Sequence, residues 1–427
     1  MPRKLFATIS TFFISSILLG QLYVEEKTRH RFAQMNIGLG YTANLGGRTQ
    51  YLDVSGSLQH LDMIDGGKVR FLIGGTHFWG HADFVLSIPI GGSSFSSQNQ
   101  DVFYTRGVET IFKGYPWAIK KNVPRPFVGF AISPGYFEQT NNNLEFGDGP
   151  DLNRTFTPLL TGFTFQHRNG LFELAASWEL GKDPNYAASR EQSFALELPP
   201  VQIGFSYRKI IDTTISAEKN WKSGKTEERT KELSEKKKLN AFYLGVGLSS
   251  SFWLEKGSFN DTNRPYLTRF STSLMPDFNL GYYFHNADLN VGLAYRNMNS
   301  NTDAYGAFQF IERQSIAFEI SKNLFDYQGF VPFVGPSLTL ERLKFEEFFE
   351  GSNSIDLSTN KTAFGLVFGW DIRPNRLQSW LLRTNLRWYP RLDLSVEQGQ
   401  VISFSNIEFN FIQLIIYPER IFGKLKQ

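Results

Sequence analysis

From Ala33 onward, apolar and polar residues alternate in runs about ten residues long. After the N-terminus, no stretch reaches the roughly 20 consecutive apolar residues of a spanning helix. In Ala33–Leu45 the apolar set is Ala33, Met35, Ile37, Leu39, Tyr41, Ala43 and Leu45, with Gln34, Asn36, Gly38, Gly40, Thr42 and Asn44 between. The same period places Val69, Phe71 and Ile73 together, then Phe84, Leu86, Ile88 and Ile90, and later Phe172, Leu174, Ala176 and Trp178. A period of two puts alternate side chains on opposite faces of a strand. Ten residues is the length a tilted strand needs to cross hydrocarbon, and more than sandwich strands usually have. If this chain enters a membrane, it crosses with strands.

Composition fits strands with two different faces. Aromatics are 15% of the 427 residues, with 41 Phe and 17 Tyr, yet charged residues are 20% and mean hydropathy is −0.27. A net charge of +3 with no basic stripe argues against nucleic acid as a partner. The absence of cysteine excludes disulfides, thiolate metal sites and a lipidated N-terminal cysteine. Residues 1–20 read as an export signal: Arg3 and Lys4 precede a moderately apolar core, Leu5–Leu19, with cleavage expected near Gly20.

Connections alternate between short and long. Phe78–His81, His167–Gly170 and His285–Ala287 are tight; Gly91–Asp101, Glu138–Asn153, Leu180–Gln192 and Glu346–Asn360 are long, polar and rich in Gly, Ser and Asn. Short periplasmic turns and longer external loops are the pattern of an outer-membrane barrel, so the tight turns are expected on the periplasmic side. Tyr51–Ile64 also alternates and is expected as an external hairpin. Trp79, Trp117, Trp178, Trp253, Trp370, Trp380 and Trp388 fall near strand ends, as interfacial girdles would. Pro89 conflicts with a strand interior and is expected near the rim or at a bulge.

The chain repeats itself at a shift of about 207 residues. Ile37–Tyr41 aligns with Leu244–Leu248, Ala82–Asp83 with Ala287–Asp288, Pro126–Gly129 (PFVG) with Pro332–Gly335 (PFVG), Asn153–Thr155 with Asn360–Thr362, and Tyr207 with Tyr417. The expected organisation is a first eight-strand repeat over 21–208, a charged periplasmic linker over 209–238 and a second eight-strand repeat over 239–427. Thr226–Lys238 could form a short polar helix, but reads first as solvated linker. The fold class is all-β: a transmembrane antiparallel up-and-down barrel of about 16 strands, with two tandem eight-stranded barrels as the alternative. Lateral joining of the repeats is the simpler enlargement and is preferred.

On the faces opposite the lipid set stand Arg70, Glu109, Glu173 and Glu197 in the first half, and Glu319, Glu341, Asp371, Arg373, Arg383 and Arg387 in the second. Charges of both signs inside a barrel form salt-bridge networks if it is narrow, or a charged constriction if it is wide. His60 with Asp62 could be imagined as a hydrolytic dyad at the external rim, and His77 with His81 as two ligands. No nucleophile or third group accompanies either pair, and the histidines flank a turn. No catalytic residue, cofactor or metal is assigned.

The tracts Tyr115–Trp117 (YPW), Arg125–Gly129 (RPFVG), Gly369–Pro374 (GWDIRP) and Ser379–Pro390 (SWLLRTNLRWYP) resemble those of outer-membrane β-barrel proteins of diderm bacteria. Phe409, Phe411 and Tyr417 resemble the aromatic signal of a final strand, although Pro418–Gln427 follows. The resemblance implies a place in the bacterial outer membrane, contact with its lipid, and assembly by the barrel-assembly machinery with periplasmic chaperones. The expected function is a passive pore for small solutes or a surface-loop scaffold, without catalysis. The alternatives are a structural, adhesion or binding role for a small barrel, or a rim hydrolase. The oligomeric state is left open.

Overall fold

The computed structural model describes residues 33–422, apart from 64–65, 92, 97–99, 144–146, 180, 182, 212–223, 328, 374–376, 378 and 397–398. The expected export signal and its cleavage position lie outside the described residues. Sixteen strands form the barrels. In the first half they are β1 (Gln34–Leu45), β2 (Gly67–His77), β3 (Ala82–Ile90), β4 (Glu109–Gly114), β5 (Pro124–Asn141), β6 (Leu159–His167), β7 (Gly170–Trp178) and β8 (Val201–Ile211). In the second they are β9 (Ala241–Trp253), β10 (Ser271–Phe284), β11 (Leu289–Ala304), β12 (Ala307–Asn323), β13 (Phe330–Phe349), β14 (Ser352–Ile372), β15 (Trp380–Tyr389) and β16 (Asn406–Ile416).

Each strand pairs antiparallel with its neighbours, and each half closes on itself. Leu39 of β1 sits opposite Tyr207 of β8, and Leu244 of β9 opposite Ile416 of β16. The sixteen strands therefore make two tandem eight-stranded barrels, and the preferred single ring does not form. The register explains why: β8 is fully occupied by β7 and β1, which leaves it no edge for β9. Period two does what it implied. Leu39, Tyr41, Phe163 and Phe205 point outward from the first barrel and Phe242, Leu244 and Val246 from the second, while the intervening residues are buried or shielded.

The repeated PFVG tract shows what the duplication preserves. Gly129 on β5 and Gly335 on β13 occupy equivalent places. A Cβ there would stand 2.2 Å from the Phe112 carbonyl oxygen in one barrel and 1.7 Å from the Ile320 carbonyl oxygen in the other. Only glycine lets the neighbouring backbone come that close.

Outside the membrane the chain is more ordered than its polar loops suggest. A hairpin, Arg48–Leu52 with Leu58–Asp62, stands where Tyr51–Ile64 is expected to extend outward. Glu346–Asn360, expected as a loop, instead continues β13 and β14 to a turn at Glu350 (φ 49°) and Gly351 (φ 81°). In Ser352–Asn360 only Ile355 and Leu357 turn to the cap, an apolar set too short to mark a strand in the sequence. Pro89 lies past Ser87, the last β3 residue paired with β4, so its missing N–H leaves no gap in that ladder. Trp253 is 3% exposed and packs inside the cap over the second barrel, so it does not belong to a girdle.

Strand β8 runs to Ile211, into the segment expected as linker, and Gly224–Glu235 forms a helix, α1. Leu233 on α1 is buried with Leu239 and Leu377, an anchor that gives this charged segment something to fold against. The barrels touch at both ends. On the periplasmic side, Phe84 and Phe112 meet Trp370, and Phe78 meets Tyr327 and Phe330, with ring centroids 5.7–6.4 Å apart. On the outer side, Tyr305 at the tip of β11 inserts between loops of the first barrel. Its hydroxyl donates to the Ala187 carbonyl oxygen (2.7 Å) and its N–H to the Asp148 carbonyl oxygen (2.8 Å).

Candidate functional site

The inward faces carry the chemistry, and the strands bring it to two separate lumens. In the first barrel, Asp83 (β3), Lys113 (β4), Glu173 (β7) and Arg208 (β8) form a closed quartet. Arg208 grips Asp83 through two contacts of 2.6 and 3.0 Å and reaches Glu173 at 3.1 Å; Lys113 bonds Glu173 at 2.6 Å and lies 3.5 Å from Asp83. Strands β8 and β3 stand three places apart around the ring, as do β4 and β7, so these contacts cross the lumen. Above them Arg70 pairs with Glu109 at 3.3 Å and donates to Ser87 Oγ and the Gly107 carbonyl oxygen. A space of about 70 Å³ lies among these side chains, room for a few waters.

The second barrel holds a longer chain of charges. Arg387 (β15) contacts Asp277 (β10) and Glu319 (β12), each at 2.6 Å, and Arg296 (β11) joins Glu319 at 3.4 Å to Glu408 (β16) at 2.8 Å. Arg313 (β12) closes bidentate on Glu341 (2.6 and 2.9 Å) and reaches Glu408 at 2.9 Å. In an eight-membered ring β12 and β16 are diametrically opposed, so the pair spans the full bore. Toward the periplasm Arg383 grips Asp371 at 2.7 and 2.9 Å, and Arg373 reaches Asp326 at 3.1 Å. Charges taken this far from water persist only when paired and hydrogen-bonded.

Of the residues singled out in the sequence, Arg70, Glu109, Glu173, Glu319, Glu341, Asp371, Arg373, Arg383 and Arg387 are buried in these networks. Glu197 is not. It is exposed in the outer loops, bridged through its backbone to Arg48. Pro199 and Pro200 follow it, and two residues without N–H donors keep the ladder from starting before Val201. Asp83, Lys113, Arg208, Asp277, Arg296, Arg313 and Glu408 were missed. For Asp83 and Arg208 the signal was present, because each stands one residue from an outward-facing aromatic, Phe84 and Tyr207. For Glu408 it was obscured: its neighbours Phe409 and Phe411 are buried as well, and register shifts interrupt the ladders where β16 meets β9 and β15.

Both outer mouths are capped by apolar clusters. Over the first barrel, Leu52, Tyr104, Phe137, Phe156, Phe194 and Leu196, drawn from four outer segments, form one buried core. Over the second, helix α2 (Ser258–Asn263) and the hairpin Asp393–Ser395 with Val401–Ser403 bring Phe259, Leu394, Ile402 and Phe404 against Leu343 and Phe345 of β13. At the periplasmic end, helix α3 (Pro418–Phe422) folds back, stacks Arg420 on Tyr417 at 4.0 Å and donates from Arg420 to the Leu239 carbonyl oxygen. Tyr417, the expected terminal aromatic, is buried there with Tyr243 and Tyr283.

Among the described residues the histidines do not assemble into a site. His60 lies exposed on the outer hairpin, where Asp62 is taken by Arg48 at 3.1 Å. His77 is buried, its ring tilted against Phe84 with centroids 4.8 Å apart, while His81 lies across the turn with its Nδ1 3.1 Å from the Tyr115 carbonyl oxygen. Among the described residues no group of three His, Cys, Asp or Glu is placed to hold a metal ion.

No protein-family profile matches the chain, and no curated protein matches it. Among solved structures, Neisserial surface protein A is 15% identical, over 41% of this chain and 96% of its own, with a TM-score of 0.30. Ail, the attachment invasion locus protein of Yersinia pestis, is 10% identical over 42% of this chain and 97% of its own (TM-score 0.26), in a complex with the heparin analogue sucrose octasulfate. An outer-membrane channel of Pseudomonas putida F1 is 9% identical over 92% of this chain and 98% of its own (TM-score 0.20). Likenesses of this size do not bear on activity.

Proposed function

We propose that this outer-membrane protein, anchored by two sealed barrels, is a non-conducting surface scaffold whose joined outer segments form a binding platform. Closed rings leave no sheet edge in hydrocarbon, and their outward apolar faces suit lipid, so membrane lipid is the environment of both barrels. One observation carries the reading. Arg313 and Glu408, from opposite walls, meet at 2.9 Å with neither side chain exposed, and the quartet around Asp83 fills the other lumen in the same manner. A solute path would require these pairs to part, and breaking a buried pair costs about 3–5 kcal/mol. The apolar caps over both mouths support the same reading.

Passage of small solutes drops out of this function, and catalysis is not part of it. Export, chaperoning and insertion by the barrel-assembly machinery belong to the same reading, because a chain of this surface has to reach its membrane unfolded. Reconstitution of the full-length protein into planar bilayers is the test. Folded protein, verified by its heat-dependent gel shift, is expected to stay electrically silent; stepwise conductance would overturn the reading in favour of a pore. Replacing His60 and Asp62 by Ala is expected to leave any lipid or peptide hydrolysis in the preparation unchanged, and a loss would make the rim an enzyme.

A further inference from the structure

The platform contains a cleft that differs in charge from the rest of the molecule. Where the two barrels meet on the outer side, a space of about 770 Å³ opens between the loop segments of the first barrel and the β9–β10 connection of the second. Its walls carry Arg154 and Arg190 from the first half and Lys256 and Arg269 from the second, against the carboxylate of Glu191. In both lumens every cation described above meets a carboxylate within 3.5 Å. The cleft breaks that habit on its second wall, although Arg190 on the first pairs with Glu350 at 2.9 Å. Among the described residues no ion pair joins Lys256 or Arg269 to a carboxylate. Lys256 is half-buried and donates to the Pro265 carbonyl oxygen. Burial depresses its affinity for a proton, Asp261 offsets this in part, and neighbouring Arg269 adds to the depression. Two like charges held together at a concave wall favour an anion between them.

Size and lining narrow the choice of anion. The space is far larger than an isolated phosphate and falls within the usual range for small-molecule sites, about 300–1,000 Å³. Between the cations stand Asn153, Asn185, Gln192 and Thr268, a set of amides and a hydroxyl suited to ring hydroxyl groups, and the half-buried ring of Tyr266 gives a flat surface for a sugar face. Arg269 supplies a planar fork that matches phosphate oxygens, whereas Arg190 on the facing wall is held by the Tyr305 carbonyl oxygen and Glu350. We propose that the inter-barrel cleft binds a phosphorylated sugar, with Lys256 and Arg269 holding the phosphate and Tyr266 the ring. The same chemistry is offered by the headgroup of a phosphoglycolipid in the outer leaflet and by a free phosphorylated oligosaccharide. Because both halves supply walls, the site exists only while the barrels are docked.

This inference rests on the outer surface being a binding platform, and its test is separable from that of the sealed lumens. Full-length protein in nanodiscs is titrated calorimetrically with glucosamine 6-phosphate, with glucosamine and with inorganic phosphate; in parallel, nanodiscs containing and lacking a phosphoglycolipid are compared for retention of that lipid. Glucosamine 6-phosphate is expected to bind at least tenfold more tightly than either glucosamine or inorganic phosphate, and the Lys256→Ala/Arg269→Ala variant to lose that preference. Retention of the glycolipid by the wild type but not by the variant, with no binding of the soluble sugar, supports the headgroup as the source. Equal binding of inorganic phosphate, or binding unchanged in the variant, overturns the proposal, as does absence of both sugar-phosphate and glycolipid binding. An unchanged midpoint in the heat-dependent gel shift of the Lys256→Ala/Arg269→Ala variant shows that it folds, so that its loss of affinity is read at the cleft. Bilayers that remain silent while no ligand binds would sink this inference alone.

Discussion

At the scale of single residues, the contrast lies between charges that are paired in the dark and charges that are not. Arg313 satisfies Glu341 and Glu408 at once, so its removal leaves Glu341 without a cation and Glu408 with Arg296 alone. Arg313→Ala is expected to destabilise the second barrel by about 3–5 kcal/mol. A lower midpoint in the heat-dependent gel shift would show it, with a smaller drop if Glu341→Gln and Glu408→Gln accompany the change. Outside the membrane, Asp151 has the opposite problem. Burial, with Asp303 and Glu138 nearby, pushes its carboxyl up from 3.8 to about 7. A raised carboxyl is held protonated by the folded state, so its contribution is full below about pH 3.8 and is lost as pH rises through 7. Asp151 and Thr268, which donates to its carbonyl oxygen, join the two halves, so amide protection factors in Leu152–Phe156, taken relative to the intrinsic rate at each pH, should be higher at pH 5 than at pH 8. Asp151→Asn should flatten that difference; an unchanged slope in the variant would remove Asp151 as its cause.

At the scale of elements, the membrane makes some strands legible and hides others. Where one face meets lipid, alternation is enforced, and β1, β2, β3 and β7 can be read from their apolar sets. Above the membrane the constraint lapses. The outer parts of β13 and β14 read as a loop because Ser352–Asn360 keeps only Ile355 and Leu357 as its apolar set, both turned to the cap. The lumen was legible in sign and blind in partnership: Glu319 and Arg387 stand out as inward charges, but nothing local says that they lie 2.6 Å apart across sixty-eight positions of chain. Glu197 shows the reverse error, an alternating residue that two prolines detach from the ladder. The PFVG tract makes an element-scale prediction. Because a Cβ at Gly335 would stand 1.7 Å from the Ile320 carbonyl oxygen, Gly335→Val should prevent β12 and β13 from closing and leave the second barrel unfolded, while Gly351→Ala, whose Cβ would meet open space at φ 81°, should cost only local turn strain. Trypsin digestion of the refolded proteins separates the cases: the first barrel should survive in both, and the second only in the turn variant.

At the scale of the whole molecule, the question is what holds two self-sufficient barrels together besides the linker. In the bilayer, the rings around Trp370 merely exchange lipid for protein, and apolar contact has little drive there. Outside it, water is the competitor. Tyr305 is 5% exposed, its hydroxyl and N–H are both engaged by the first barrel, and its carbonyl oxygen accepts from Arg190, which also pairs with Glu350 at 2.9 Å. Truncating a buried aromatic costs about 3–5 kcal/mol, against about 0.5–1.5 kcal/mol for one ring pair. The outer contact should therefore dominate. With a protease site placed within residues 212–223 and cut after folding, the two halves are expected to co-elute in mild detergent. Tyr305→Ala should release them from each other, and Trp370→Ala should not. The opposite pattern, separation by Trp370→Ala alone, would move the docking energy into the membrane and leave the outer cleft without a fixed geometry.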